Sequence, residues 1–174
     1  MTEAINADEA FVGTVEPEGA DRLDEGKLTA WMQANVDGFE GPLHLTKFKG
    51  GQSNPTYKVA AKSGNYVLRR KPPGVLLKSA HAVDREFRVQ KALAGSGVPV
   101  AKMFLLCEDD SVIGTAFYVM ERIAGRIFWK PDLPEVSRED RAKIYDEMNR
   151  ALAALTTLDP QKIGLSDFGR PGSY

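Results

Sequence analysis

The chain has 174 residues, long enough for one domain with its own core or one lobe of a larger fold. Hydrophobic residues make up 43% and charged residues 27%, and 23 Lys plus Arg nearly balance 24 Asp plus Glu, so no global field recruits nucleic acid or an anionic membrane. No apolar run reaches bilayer length, the first residues do not read as a signal peptide, and the single Cys107 excludes an internal disulfide, so a cytoplasmic protein is expected.

Residues 1–20 are acidic and aperiodic, with Pro17 between two glutamates, which reads as a disordered acidic tail. Leu23, Leu28, Trp31, Met32 and Val36 suggest a short helix within 21–36. LHLTKF (43–48), PTYKVAA (55–61) and NYVLRR (65–70) read as strands joined by GGQSN and by a KSGN turn centred on Gly64-Asn65. Ser79 is placed to cap a helix that runs to about Gly95. Strands follow near 102–107 and 116–122, separated by a polar EDDS turn. Ser137 and Asp140 resemble a capping box for a last long helix, whose stripe is Ile144, Tyr145, Met148, Leu152 and Leu155. The fold class is α+β, with a five-stranded antiparallel sheet and one helix packed on it.

Three stretches could carry chemistry. In FKGGQSNPTYKV, glycines between two strands let backbone N–H groups approach a phosphate, although taken alone the stretch reads better as a tight hairpin without a ligand. In NYVLRR, strand alternation puts Val67 and Arg69 on one face and Leu68 and Arg70 on the other. A small apolar residue two positions before an arginine suits a base and its phosphates; two solvated arginines are the plainer alternative. On the helix 80–94, Asp84, Arg85, Arg88 and Lys91 share one arc, while Glu86 falls inside the apolar arc. A carboxylate there calls for a cation, and the nearest candidate by topology is Arg69, the alternative being that Glu86 reaches water at the edge of the sheet. A glycine loop, strand cation, helix glutamate and linker strand, in this order, are the parts of a kinase small lobe.

The stretches GGQSNPTY, YVLRRKPPG, SAHAVDREFRVQKAL, SGVPV and FYVMERIAGR resemble the aminoglycoside phosphotransferase family, in the branch associated with acyl-CoA dehydrogenases. The resemblance implies a protein-kinase-like small lobe over 21–123, which binds ATP, and the start of a large lobe over 124–174. Gly50, Gly51, Gln52, Ser53 and Asn54 become the nucleotide-positioning loop, with Val67 beneath the base. Arg69 takes the place of a phosphate-contacting lysine, a departure from many members, and Glu86 is its partner. Met120, Glu121 and Ile123 belong to the hinge that meets adenine.

The triplet Asp167-Phe168-Gly169 looks like a kinase magnesium site, but no His-x-Asp with a following asparagine precedes it. In the resembling family a similar GLSDFGRPGSY stretch precedes the catalytic loop, so Asp167 is expected to be a loop residue. The catalytic base and the Mg²⁺ ligands are then expected beyond Tyr174, which leaves no catalytic or metal residue in this chain and no activity for it alone. The substrate is expected to be a hydroxyl-bearing small molecule, with the branch favouring a hydroxyacyl thioester over an amino sugar. A non-catalytic nucleotide-binding or protein-interaction module is the alternative. The apolar stripe of the 137–158 helix is expected to drive self-association.

Overall fold

Period-two alternation in successive segments builds the sheet. The computed structural model of the protein describes residues 12–50, 53–74 and 81–169. Its strands are Thr14–Val15 (β1), Leu43–Phe48 (β2), Thr56–Ala61 (β3), Gly64–Arg70 (β4), Met103–Cys107 (β5) and Phe117–Glu121 (β6). They form one antiparallel sheet in the order β1-β2-β3-β4-β6-β5. Among the described residues the sheet therefore has six strands, not five. The extra strand lies within the stretch expected as a tail, where Thr14 pairs with Phe48 and Val15 with Lys47. Ladder bonds alone make it a strand, since two residues are too few to show alternation. Residues 1–11 of the expected tail lie outside the described residues.

The hairpin between β3 and β4 also differs from expectation. Its two-residue turn is Lys62-Ser63, and Ala61 pairs with Gly64. Gly64 is already in the ladder at φ +136°, a conformation that L side chains rarely adopt.

The helices are Glu25–Asn35 (α1), Val83–Leu93 (α2), Asp110–Ile113 (α3) and Arg138–Thr156 (α4). Side-chain caps act at two of the longer ones. Asp24 accepts the Lys27 N–H at 2.9 Å, and the expected Ser137 cap accepts the Asp140 N–H at 3.1 Å. The cap expected at Ser79 lies outside the described residues. The polar EDDS turn holds α3, which Asp109 opens by accepting the Ser111 N–H at 2.9 Å and Gly114 closes in a left-handed conformation.

Both faces of the sheet are covered, rather than one. Leu28 and Met32 of α1 are fully buried against Leu45, Tyr57, Val59, Leu68, Phe117 and Val119. On the opposite face, Val83 and Phe87 of α2 pack on Ala116 and Tyr118. Each such side chain contributes about 1.5–3 kcal/mol on leaving water. Arg70 reaches the α1 face, where its side chain is 3% exposed. Its Nη2 donates to the Ala20 carbonyl at 2.7 Å and to Asp21 Oδ1 at 3.3 Å, and its Nε to the Tyr57 hydroxyl at 3.2 Å. Lys47 Nζ donates to the other Asp21 oxygen at 2.5 Å. Burial pushes the Asp21 carboxyl up, but Lys47 and Arg70 outweigh it and hold the carboxyl below its ordinary value. This cluster fastens the 19–21 turn to the sheet.

The chain divides into two compact units, one running to Phe87 and including Lys102–Ile123, the other comprising Arg88–Ala101 and the chain from Ala124 onward. In the second unit, α4 has no buried residue, and Tyr145, Met148, Leu152 and Leu155 are all at least 41% exposed. Among the described residues no helix is long and apolar enough to cross a membrane.

Candidate functional site

Strand alternation places the candidate site on the α2 face of the sheet. Arg69 lies directly across from Tyr118, and Val67 from Met120, so these four residues share that face. The helix α2 brings Glu86 over it. Arg69 Nε donates to Glu86 Oε2 at 2.8 Å, the ion pair expected from the apolar arc. The glutamate receives two further bonds, from Asn54 Nδ2 to Oε1 at 2.8 Å and from the Tyr118 hydroxyl to Oε2 at 3.1 Å. An ionised carboxylate accepts at both oxygens, so its partners lock it in one orientation.

The arginine is anchored at a second edge. Its Nη1 donates to Thr56 Oγ1 at 2.9 Å and lies 3.4 Å from the Asn54 carbonyl. Among the described residues Nη2 has no hydrogen-bond partner. A lysine would have a single ammonium to divide among these acceptors and a ligand. Arginine keeps Nε and Nη1 for the protein and leaves the third corner of its fork for an anion.

Asn54 sits where the glycine loop enters β3 and is 2% exposed. Its Oδ1 is 2.8 Å from His81 Nδ1, just ahead of α2, and its Nδ2 is already given to Glu86. The Asn54 side chain thus braces the ion pair from within instead of lining an open loop. His81 has a left-handed backbone, φ +59°, uncommon for a residue other than glycine.

The comparisons with known proteins bear on what this arrangement serves. A model of the phosphotransferase enzyme family matches residues 44–174, most of the chain and all of the site. The chain belongs to the phosphotransferase enzyme family. A crystal structure named for a putative aminoglycoside phosphotransferase of Ralstonia eutropha superimposes with a TM-score of 0.78 at 52% identity, over 88% of this chain and 44% of that one. The protein named "Probable acyl-CoA dehydrogenase IBR3" of Arabidopsis thaliana is 48% identical over 165 residues, covering 90% of this chain and 20% of that protein. Acyl-CoA dehydrogenase family member 11 of Mus musculus is 45% identical, over 92% and 21% respectively. The chain therefore spans about a fifth of these curated relatives. The family read from the motifs, and its link to proteins named as acyl-CoA dehydrogenases, are borne out.

The phosphotransferase fold brings together Asn54, Val67, Arg69, Glu86 and Met120 of the residues singled out in the sequence. Gly50 and the exposed Ser53 flank the loop, whose Gly51 and Gln52 lie outside the described residues. Glu121 is exposed, and its N–H donates to the Lys102 carbonyl at 2.8 Å. Ile123, past the strand end, is 65% exposed. Asp167 lies in a turn as expected, where both its oxygens pair with the Arg88 guanidinium, one of them at 3.0 Å. Among the described residues no group of three or more His, Cys, Asp or Glu gathers as a metal set.

Thr56, His81 and Tyr118 are site residues that the motifs do not single out. Alternation could have found Thr56 and Tyr118, since each pairs directly with Arg69 across the ladder. His81, expected inside the helix 80–94, instead lies ahead of α2, which starts at Val83, so helical periodicity gave no signal for its contact with Asn54.

Proposed function

We propose that this chain is the ATP-binding portion of a small-molecule kinase that moves the γ-phosphoryl group of ATP to a substrate hydroxyl. The observation that carries the reading is the Arg69–Glu86 pair, held at 2.8 Å between β4 and α2 in a member of a phosphotransferase family. In this reading residues 21–123 form the nucleotide-binding lobe. The phosphates meet the free Nη2 corner of Arg69 and the backbone N–H groups of the loop from Gly50 to Asn54. The adenine rests over Val67 and Met120, against the hinge that runs from Met120 through Glu121 to Ile123. As the substrate oxygen bonds to the γ-phosphorus, the bond to the ADP oxygen breaks and the hydroxyl proton passes to a base.

Bound Mg²⁺ would neutralise charge on the phosphates. The residues described here supply no carboxylate set for it, so its ligands and the base are assigned to the part of the phosphotransferase chain that this sequence does not span. A hydroxyl-bearing acyl thioester is the proposed substrate class, a choice supported by the relatives being named as acyl-CoA dehydrogenases. A cytoplasmic setting is part of the same reading.

The test is a calorimetric titration of the 174-residue chain with ATP. Saturable binding that Arg69→Ala abolishes is expected, and absence of binding by a folded wild-type chain overturns the reading. Sustained phosphoryl transfer by this chain would show that the base lies within it.

A further inference from the structure

We propose that Asn54 and His81 are positioning residues that fix the Glu86 carboxylate, and through it Arg69, for the phosphates of ATP. The inference rests on the ATP-binding reading and extends it to residues outside the ion pair. Its logic is the direction of the hydrogen bonds. Glu86 can only accept, so the Asn54 amide must turn its NH₂ toward Oε1, 2.8 Å away. That turns Asn54 Oδ1, which can only accept, toward His81 Nδ1 at 2.8 Å. His81 must therefore carry a proton on Nδ1, and its tautomer is set by a carboxylate two bonds away.

His81 has φ +59°, a left-handed conformation uncommon outside glycine that histidine adopts more readily than most residues. Both polar atoms of the Asn54 side chain are engaged in a residue 2% exposed, so the side chain is placed as a strut, not as a ligand contact. The relay joins the residue entering β3 to the residue preceding α2, the two segments that bracket the Arg69–Glu86 pair. Loss of either link removes the fixed donor at Glu86 Oε1 and loosens the Arg69 fork, which Thr56 and the Tyr118-held Oε2 then orient alone.

Substitution at His81 separates the proton from the backbone. His81→Asn keeps a donor close to the Nδ1 position and tolerates the left-handed backbone. His81→Gly tolerates it as well but has no donor. ATP affinity of the 174-residue chain is expected to stay within about twofold of wild type for His81→Asn, to fall about tenfold for Asn54→Ala, which loses a hydrogen bond to a charged group, and to fall about fivefold for His81→Gly, which loses a neutral one. The double variant Asn54→Ala/His81→Gly should bind no more weakly than Asn54→Ala, because both break one chain. Full affinity of His81→Gly in a chain with wild-type melting behaviour, or additive losses, would overturn the relay.

The imidazole ¹⁵N shifts of His81 give an arm that needs no ATP. Protonation at Nδ1 in the wild type, lost in Asn54→Ala, is expected. A neutral ring protonated at Nε2, or a tautomer unmoved by Asn54→Ala, would refute the relay. Should the wild type bind no ATP, the functional reading falls and the tautomer alone decides whether the relay exists.

Discussion

Glu86→Gln is the sharpest perturbation of the site, because it changes charge and one donor while keeping shape. The wild-type carboxylate accepts from three donors, Asn54 Nδ2, Arg69 Nε and the Tyr118 hydroxyl. A glutamine cannot accept at both ends. With its NH₂ toward Arg69 and Tyr118 it meets the Arg69 donor. With its NH₂ toward Asn54 it requires the Asn54 amide to turn and the His81 proton to move from Nδ1 to Nε2, and in either case Arg69 loses its charged acceptor. A hydrogen bond to a charged group contributes about 1.5–3 kcal/mol, and about 1.4 kcal/mol is tenfold in affinity. The ATP affinity of the folded variant should therefore fall roughly ten- to a hundred-fold, with the fold of the sheet retained. Calorimetric titration measures this, and a thermal melt checks that the chain is intact. A Kd within about twofold of wild type would mean that the glutamate does not hold Arg69 for the nucleotide.

Arg70→Met should cost about 3 kcal/mol in urea unfolding, near the lower end for breaking a buried ion pair because Lys47 still serves Asp21, while leaving ATP affinity unchanged. Because the Asp21 carboxyl sits below its ordinary value, the unfolded chain takes up its proton first as pH falls. The stability Asp21 gives is thus present above about pH 4 and lost as pH falls through the depressed value, so acid titration should show the difference between wild type and Asp21→Asn shrinking there. Asp167→Asn should leave binding of ATP with Mg²⁺ unaltered by calorimetry, since its oxygens serve Arg88; a large loss would restore it as a metal ligand. The exposed stripe Tyr145, Met148, Leu152 and Leu155 should drive concentration-dependent self-association, and Leu152→Lys should shift the chain toward monomer in sedimentation. A wild-type chain that stays monomeric at high concentration would refute that reading.

Regular periodicity makes the ion pair legible in the residues themselves. Alternation in β4 puts Arg69 and Arg70 on opposite faces, and the apolar arc of α2 sets Glu86 where a carboxylate calls for a cation. What stays hidden has no period. The two residues of β1 are too few to alternate, and α3 arises from an Asp109 cap inside what reads as a turn. The contact of His81 with Asn54 joins positions far apart in sequence through side chains of two irregular segments. The residues ahead of Asp167 mark it as a loop residue, but its partner Arg88 lies on an arc that reads as merely solvated.

The Lys62-Ser63 turn has no residue to spare, and this makes hairpin length a determinant of the site. Deleting one residue would slide β4 by one place and move every side chain to the other face. Arg70 would then occupy the place of Arg69, and Lys71 that of Arg70, so a cation would remain at both positions. The sequence would look tolerant of the change. The slot of Leu68, fully buried against α1, would however receive Arg69, an unpaired charge in the core. Single-residue deletions in this turn should accordingly be purged from functional relatives as folding failures, even though the run of three basic residues seems to offer a replacement.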